Sequence, residues 1–317
     1  MSWIERLAGR RLMVEVPATT ANLGAGYDCL GLALEFVNRT EIQPLPDSGG
    51  RIELSVEGEG VGALPADRSN RFVVALETAL RRSGDEIPAG LGWSIRMRND
   101  VPLARGLGSS ATATVGGLAA ANALLGRVLT TDDMLGMALE IEHHADNAAA
   151  ALMGGLVVVD GHSGTPMALR FDAPTDLKCV LFIPERQLST EAMRACLPAQ
   201  VPLSDAAANL GRVALGVAGI AQGRLEVLDR LTRDTLHEPY RARLYPELPE
   251  LVEAARSAGA LGACLSGAGS TIVAFTDSPS RADAIAVAML AAGDEAEIRG
   301  SIRIVGPRNL PARAFEM

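Results

Sequence analysis

Residues 106–126 carry no charged side chain: Gly106-Leu107-Gly108-Ser109-Ser110 opens a run rich in alanine that continues to Leu125. Such a run predicts a helix. Its five glycines, hydroxyls and Asn122 make it a poor membrane span, which needs about 20 predominantly apolar residues, and 257–276 reads the same way. The Gly-x-Gly entry constrains what this helix can do. Gly106 and Gly108 accept positive φ and put no Cβ in the path of a ligand. The first N–H groups of a helix lack intrahelical partners, and the helix dipole adds positive potential there. That arrangement suits a phosphate. Ser109 and Ser110 add hydroxyls, one for a phosphate oxygen and one for Mg²⁺. A glycine turn that merely starts a helix has the same residues. The stretch is neither a P-loop, since no Lys follows Gly108, nor a complete G-x-G-x-x-G fingerprint.

The rest of the chain mixes strands and helices without strict alternation. Alternating apolar residues predict strands at 12–16, where Pro17 ends the first, at 32–42, 52–56 and 93–97. Asp67 or Ser69 caps a helix to about Arg82, and Thr130 with Asp133 forms a capping box for a helix to about His143. A short helix at 146–153 and a strand at 156–159 follow. The stretch 161–176, rich in Gly, Pro, Asp and Ser, reads as a linker. Beyond it, strands are expected at 179–183, 262–265, 271–275 and 302–305, with helices at 206–221, 249–258 and 282–291. The fold class is α+β in two domains, 1–165 and 166–317.

With 29 Lys and Arg against 38 Asp and Glu the net charge is -9, a poor footprint for nucleic-acid binding. Cys29, Cys179, Cys196 and Cys264 lack metal-site spacing and are expected to be reduced and structural. The first 16 residues have no signal-peptide run, so a cytoplasmic, membrane-free protein is expected.

Three further clusters favour phosphate chemistry over a bare helix start. Asn22 and Asp28 lie in an early glycine-rich loop. Glu140, Glu142, His144, Asp146 and Asn147 crowd into eight residues, and Ser266-Gly267-Ala268-Gly269-Ser270 forms a second Gly/Ser loop between strands. Each taken singly also suits an ordinary turn or hairpin.

Pro102-Leu103-Ala104-Arg105-Gly106-Leu107-Gly108-Ser109-Ser110-Ala111 resembles the signature of the GHMP kinases, which include galactokinase, homoserine kinase and mevalonate kinase. Pro17-Ala18-Thr19-Thr20-Ala21-Asn22-Leu23-Gly24-Ala25-Gly26-Tyr27-Asp28 is similar to their first motif in its homoserine kinase version, and Leu265-Ser266-Gly267-Ala268-Gly269-Ser270-Thr271 to their third. His144-Ala145-Asp146-Asn147 resembles a His-x-Asp-Asn run of the same version, although His143 and Ala145 stand where that version often has Gly and Pro.

The resemblance implies an N-terminal, ATP-binding domain like the second domain of ribosomal protein S5, with a left-handed βαβ crossover, and a ferredoxin-like C-terminal domain. It implies ATP and Mg²⁺ as cofactors, L-homoserine as the acceptor and a homodimer. Asn70, Pro102, Arg105, Gly106, Leu107, Gly108, Ser109, Ser110, Gly267, Gly269 and Ser270 fall at nucleotide-binding positions. Ser110 and Glu140 match metal ligands, with Glu142 as the alternative acid. Asn22, Asp28, His144, Asn147, Thr190, Arg194 and Arg241 match positions around the acceptor. Asp146 and Asn147 are the catalytic candidates: Asp146 as a base, or direct attack with Asn147 on the acceptor hydroxyl. The motifs also fit a shikimate- or mevalonate-type kinase or a catalytically silent nucleotide-binding regulator. Glu140 and Ser110 together speak against the last.

Overall fold

The computed structural model describes residues 7, 9–82, 87–88, 90–162 and 164–317; the charged pair Glu5 and Arg6 lies outside them. The first unit is built on β1 (Leu12–Ala21), β2 (Leu30–Leu45), β3 (Ile52–Gly58), α1 (Arg71–Arg82), β4 (Gly92–Asn99), α2 (Ser109–Leu124), α3 (Thr131–Glu142), α4 (Asp146–Met153), β5 (Leu156–Asp160) and β6 (Met167–Phe171). β1 does not stop at Pro17. It continues to Ala21 because the register against β2 shifts between Pro17 and Thr19, and a bulge is where a residue without an N–H fits in a ladder. β3 and β4 are parallel and joined through α1. The cap of α1 is Asn70, whose Oδ1 accepts from Phe72 N at 3.0 Å, in place of Asp67 or Ser69. The capping box at Thr130 and Asp133 is present. α2 is buried on nearly every side, which is why its sequence lacks a polar face.

The second unit comprises β7 (Lys178–Pro184), α5 (Thr190–Ala195), α6 (Leu203–Ala221), α7 (Leu228–Leu231), α8 (Glu238–Arg241), α9 (Leu248–Ser257), β8 (Gly262–Leu265), β9 (Ile272–Thr276), α10 (Pro279–Glu295) and β10 (Gly300–Val305). Its sheet runs β10-β7-β9-β8 with antiparallel neighbours. Fourth, first, third, second is the strand order of a ferredoxin-like β-α-β-β-α-β unit.

Two findings redraw the expected division at 165/166. β6 lies inside the expected linker yet hydrogen-bonds to β5, so the first sheet extends to Phe171. β11 (Arg313–Glu316) returns from the second half to pair with β1. The units also share apolar contacts: Leu23, Leu34 and Leu107 from the first pack in one cluster with Leu181, Leu231 and Phe275 from the second. Their mutual position is therefore set by a buried core, and the site lies where that core meets the loops.

Candidate active site

The three glycine-rich loops bond to one another before any ligand is considered. Thr19 N donates to Leu107 O (3.1 Å), Gly267 N to Ala21 O (3.1 Å) and Thr271 N to Arg105 O (3.1 Å). Ser266 Oγ donates to Gly106 O at 2.7 Å, and Asn22 Nδ2 donates to Gly267 O at 2.9 Å. Gly106 and Gly108 both have positive φ; a Cβ on Gly106 would overlap the Ser266 carbonyl, and one on Gly108 the Thr19 hydroxyl. The glycines thus serve loop-on-loop packing as well as access. α2 begins on Gly108 with no side-chain cap and no acid in its first turn, so its N-terminal N–H groups and dipole are left for an anion.

This helix start divides two cavities, both bordered by Ala104, Ser109 and Ser110. The larger, about 360 Å³, is lined mainly by apolar groups including Leu64, Phe72, Met97 and Leu103, with the buried Asn70 among its polar lining residues. Asn70 is held by its bonds to Phe72 N and to the Pro65 carbonyl (2.8 Å). The smaller, about 110 Å³, is called the polar cavity for the side chains it brings together: Asn22, Asp28, Glu142, His144, Asp146, Asn147, Thr190, Arg194 and Arg241, with Gly267 beside them.

Glu142 faces this junction and Glu140 does not. The Glu142 side chain is 3% exposed and accepts from Ser110 Oγ (3.0 Å), Arg71 (3.0 Å) and Thr114. Glu140 is 54% exposed and pairs with Arg82 on the outer surface. Two residues apart on a helix means about 200° of rotation, so one acid of the two faces inward. The signal was in the sequence: Glu142 continues the buried stripe Leu135 and Ala138 at helical spacing, and Thr114 stands one turn beyond Ser110 on α2.

Other expected contacts are redirected. Ser270 is buried and its hydroxyl donates to Arg186 O, while Gly269 N bonds Ser266 O; Gly267 and Ala268 represent the third loop in the cavity. Pro102 borders neither cavity among the described residues. Arg105 lines the polar cavity while its guanidinium donates to the carbonyls of Leu103, Pro184 and Glu185, clamping the phosphate loop to β7. Leu107 borders the polar cavity, but it is buried in the shared core.

Around the polar cavity, Asp28 takes both terminal nitrogens of Arg194, at 2.6 and 2.9 Å. Burial pushes the Asp28 carboxyl up, and Arg194 more than reverses this, leaving it below its ordinary value. Arg241 is 1% exposed. It donates to Met193 O (3.1 Å) and Gly267 O (2.9 Å) and meets His237 Nδ1 at 3.0 Å. Among the described residues no carboxylate is bonded to it. Asp146 is buried, and burial together with nearby Asp28 raises its carboxyl. Its Oδ1 accepts from Asn147 N at 2.7 Å. Thr19, which the sequence reading passes over, donates to Asn147 Oδ1 at 2.7 Å, so the amide turns its N–H groups away from Thr19, one of them 3.3 Å from Asp146 Oδ1. His144 Nδ1 is buried without a hydrogen-bond partner among the described residues and lies 3.9 Å from Asp146 Oδ1.

An uncapped helix start between an apolar cavity and a polar one is the geometry of a small-molecule phosphotransferase. Residues 70–155 match the family model of the GHMP kinases' N-terminal domain and residues 217–295 that of their C-terminal domain. The chain belongs to the GHMP kinases. Within them its relatives include the homoserine kinase of Carboxydothermus hydrogenoformans, 40% identical over 300 residues (92% of this chain, 96% of the relative), and that of Moorella thermoacetica, 38% identical (94% and 97%). The crystal structure of homoserine kinase from Cytophaga hutchinsonii superposes with a TM-score of 0.87 at 30% identity, covering 97% of this chain and 98% of that one.

Proposed function

We propose that the chain transfers the γ-phosphoryl group of ATP to the side-chain hydroxyl of L-homoserine, giving O-phospho-L-homoserine and ADP on the way to threonine. The observation that carries this is the pair of cavities meeting at Ser109 and Ser110. The apolar one, with Asn70 in its lining, suits a nucleoside. The polar one offers an anion, Asp28, and a buried cation without a bonded carboxylate, Arg241, which suits a small zwitterion. The substrate's ammonium takes Asp28, and its carboxylate takes Arg241 and Arg194, with Thr190 and Asn22 at the margin.

Ser110 and Glu142 are the oxygen donors that would hold Mg²⁺. One hydroxyl and one carboxylate fit an ion that keeps its remaining positions for phosphate oxygens and water, and no cluster of three acids, His or Cys competes among the described residues. Bound there, the ion supplies charge neutralisation for the phosphates.

The acceptor oxygen forms a bond to Pγ as the bond from Pγ to the bridging oxygen of ADP breaks. The α2 N–H groups hold the charge spread over the equatorial oxygens. Asn147, its amide oriented by Thr19, donates to the acceptor oxygen. It therefore positions the hydroxyl and does not take its proton, which leaves to a phosphoryl oxygen. Asp146 shapes this arrangement through Asn147 and is not required as a base.

An ADP-release assay with L-homoserine, mevalonate, shikimate and galactose tests the reading. Turnover is expected on homoserine. Preference for mevalonate or shikimate would transfer the chain to another branch of the family, and no turnover on any would leave a nucleotide-binding regulator.

A further inference from the structure

Tyr27 borders neither cavity, yet it touches both arginines of the polar one. Its hydroxyl accepts from Arg194 NH1 at 2.9 Å. Its ring faces the Arg194 guanidinium at 5.6 Å and that of Arg241 at 5.5 Å, and lies 5.3 Å from the His237 ring. We propose that Tyr27 is a positioning residue for the acceptor's carboxylate: its hydroxyl aims Arg194 and its ring fixes the spacing of the two guanidiniums. This rests on the reading of the polar cavity as the zwitterion site.

The two arginines are not held equally. Arg241 is locked by two carbonyls and by His237, whose other nitrogen, Nε2, bonds the Gly24 carbonyl at 2.8 Å. Arg194 is held by Asp28 and Tyr27, while its Nε is buried without a hydrogen-bond partner among the described residues. An ammonium that occupies Asp28 loosens the Arg194 ion pair at the moment Arg194 must receive a carboxylate. Tyr27 then supplies the bond that keeps this long, flexible side chain on target. The ring also sets a weakly attractive face between two like charges. It comes from the first loop, whereas both arginines come from helices of the second unit. Loop and helices are thereby registered at the carboxylate.

The test is steady-state kinetics of Tyr27→Phe and Tyr27→Leu, with thermal melts to check folding. Tyr27→Phe keeps the ring and removes one hydrogen bond to a charged group, so the KM for homoserine should rise about tenfold, with kcat and the KM for ATP within about twofold. Tyr27→Leu should raise it further. 2-Amino-1,4-butanediol, which lacks the carboxylate, should show an unchanged kcat/KM in both variants. An unchanged homoserine KM in Tyr27→Phe overturns the inference, as does an equal loss with the diol, which marks a merely structural role. Wild-type protein inactive on homoserine removes the functional reading and this inference together, which distinguishes the two failures.

Discussion

Helix α3 starts with a capping box in which Thr130 and Asp133 satisfy each other's backbone N–H groups, and it carries Asp132 and Asp133 in its first turn. Helix α2 starts on Gly108 with neither a side-chain cap nor an acid. A cap contributes about 1 kcal/mol, and an acid near a helix start adds a few tenths to 1. α2 forgoes both at a helix that is buried on nearly every side beyond its first turn and whose packing supplies stability from elsewhere. What remains at its start is unspent hydrogen-bonding capacity and positive potential between two cavities. The same backbone chemistry is thus closed where it only holds the fold and left open where a phosphate is to sit.

The comparison breaks most readily at Gly108. Gly108→Ala sets a Cβ against the Thr19 hydroxyl at positive φ, so kcat/KM should fall more than 100-fold, a displacement of the phosphate cradle on the order of an ångström having about that effect. Glu142→Gln should raise the Mg²⁺ concentration for half-maximal rate about 10- to 100-fold. Glu140→Gln should leave it unchanged, which separates the inward acid from the outward one in a Mg²⁺ titration. Asp146→Asn should lower kcat less than tenfold; a loss of about 10²-fold or more would assign it as a general base. Thr130→Ala, on the closed helix, should cost about 1 kcal/mol in urea unfolding and leave kcat/KM intact.

A third helix start sharpens the contrast by pH. Glu238 opens α8 inside the protein, where its carboxylate accepts from Leu265 N, and burial pushes the carboxyl up from 4.5 to about 8. A carboxyl raised in the folded state binds its proton more tightly there than in the unfolded chain. Its contribution to stability is therefore full below about pH 4.5 and fades as pH rises through about 8. Unfolding free energy should decline from about pH 4.5 to about pH 8 and level off above that, and Glu238→Gln should flatten that decline.

Much of this was legible in the sequence, because local rules and motif spacing agree. The capping box, the alanine-rich helix and the convergence of three loops follow from turn chemistry, helix periodicity and resemblance. What escaped depended on long-range partners. Ser270 reads as a ligand hydroxyl until Arg186 O is seen beside it, and nothing local to Arg105, which lines the polar cavity, announces the three carbonyls it clamps. Thr19 looks like any strand threonine, since its role lies in Asn147, 128 positions away. Glu142 was decidable from the stripe it shares with Leu135 and Ala138, whereas β11 offers no pattern that names β1 as its partner.

That last pairing bears on how the molecule is made. β1 forms early in synthesis, but β11, which flanks it, follows only after nearly the whole second unit, and Arg10 meets Glu316 across 306 positions. Until then β1 presents an open edge, able to pair with other chains. Joining ends so distant also carries a high loop-closure entropy and slows folding. The seven-stranded sheet is therefore begun first and finished last, and its maturation is coupled to completion of the ferredoxin-like unit threaded between its strands.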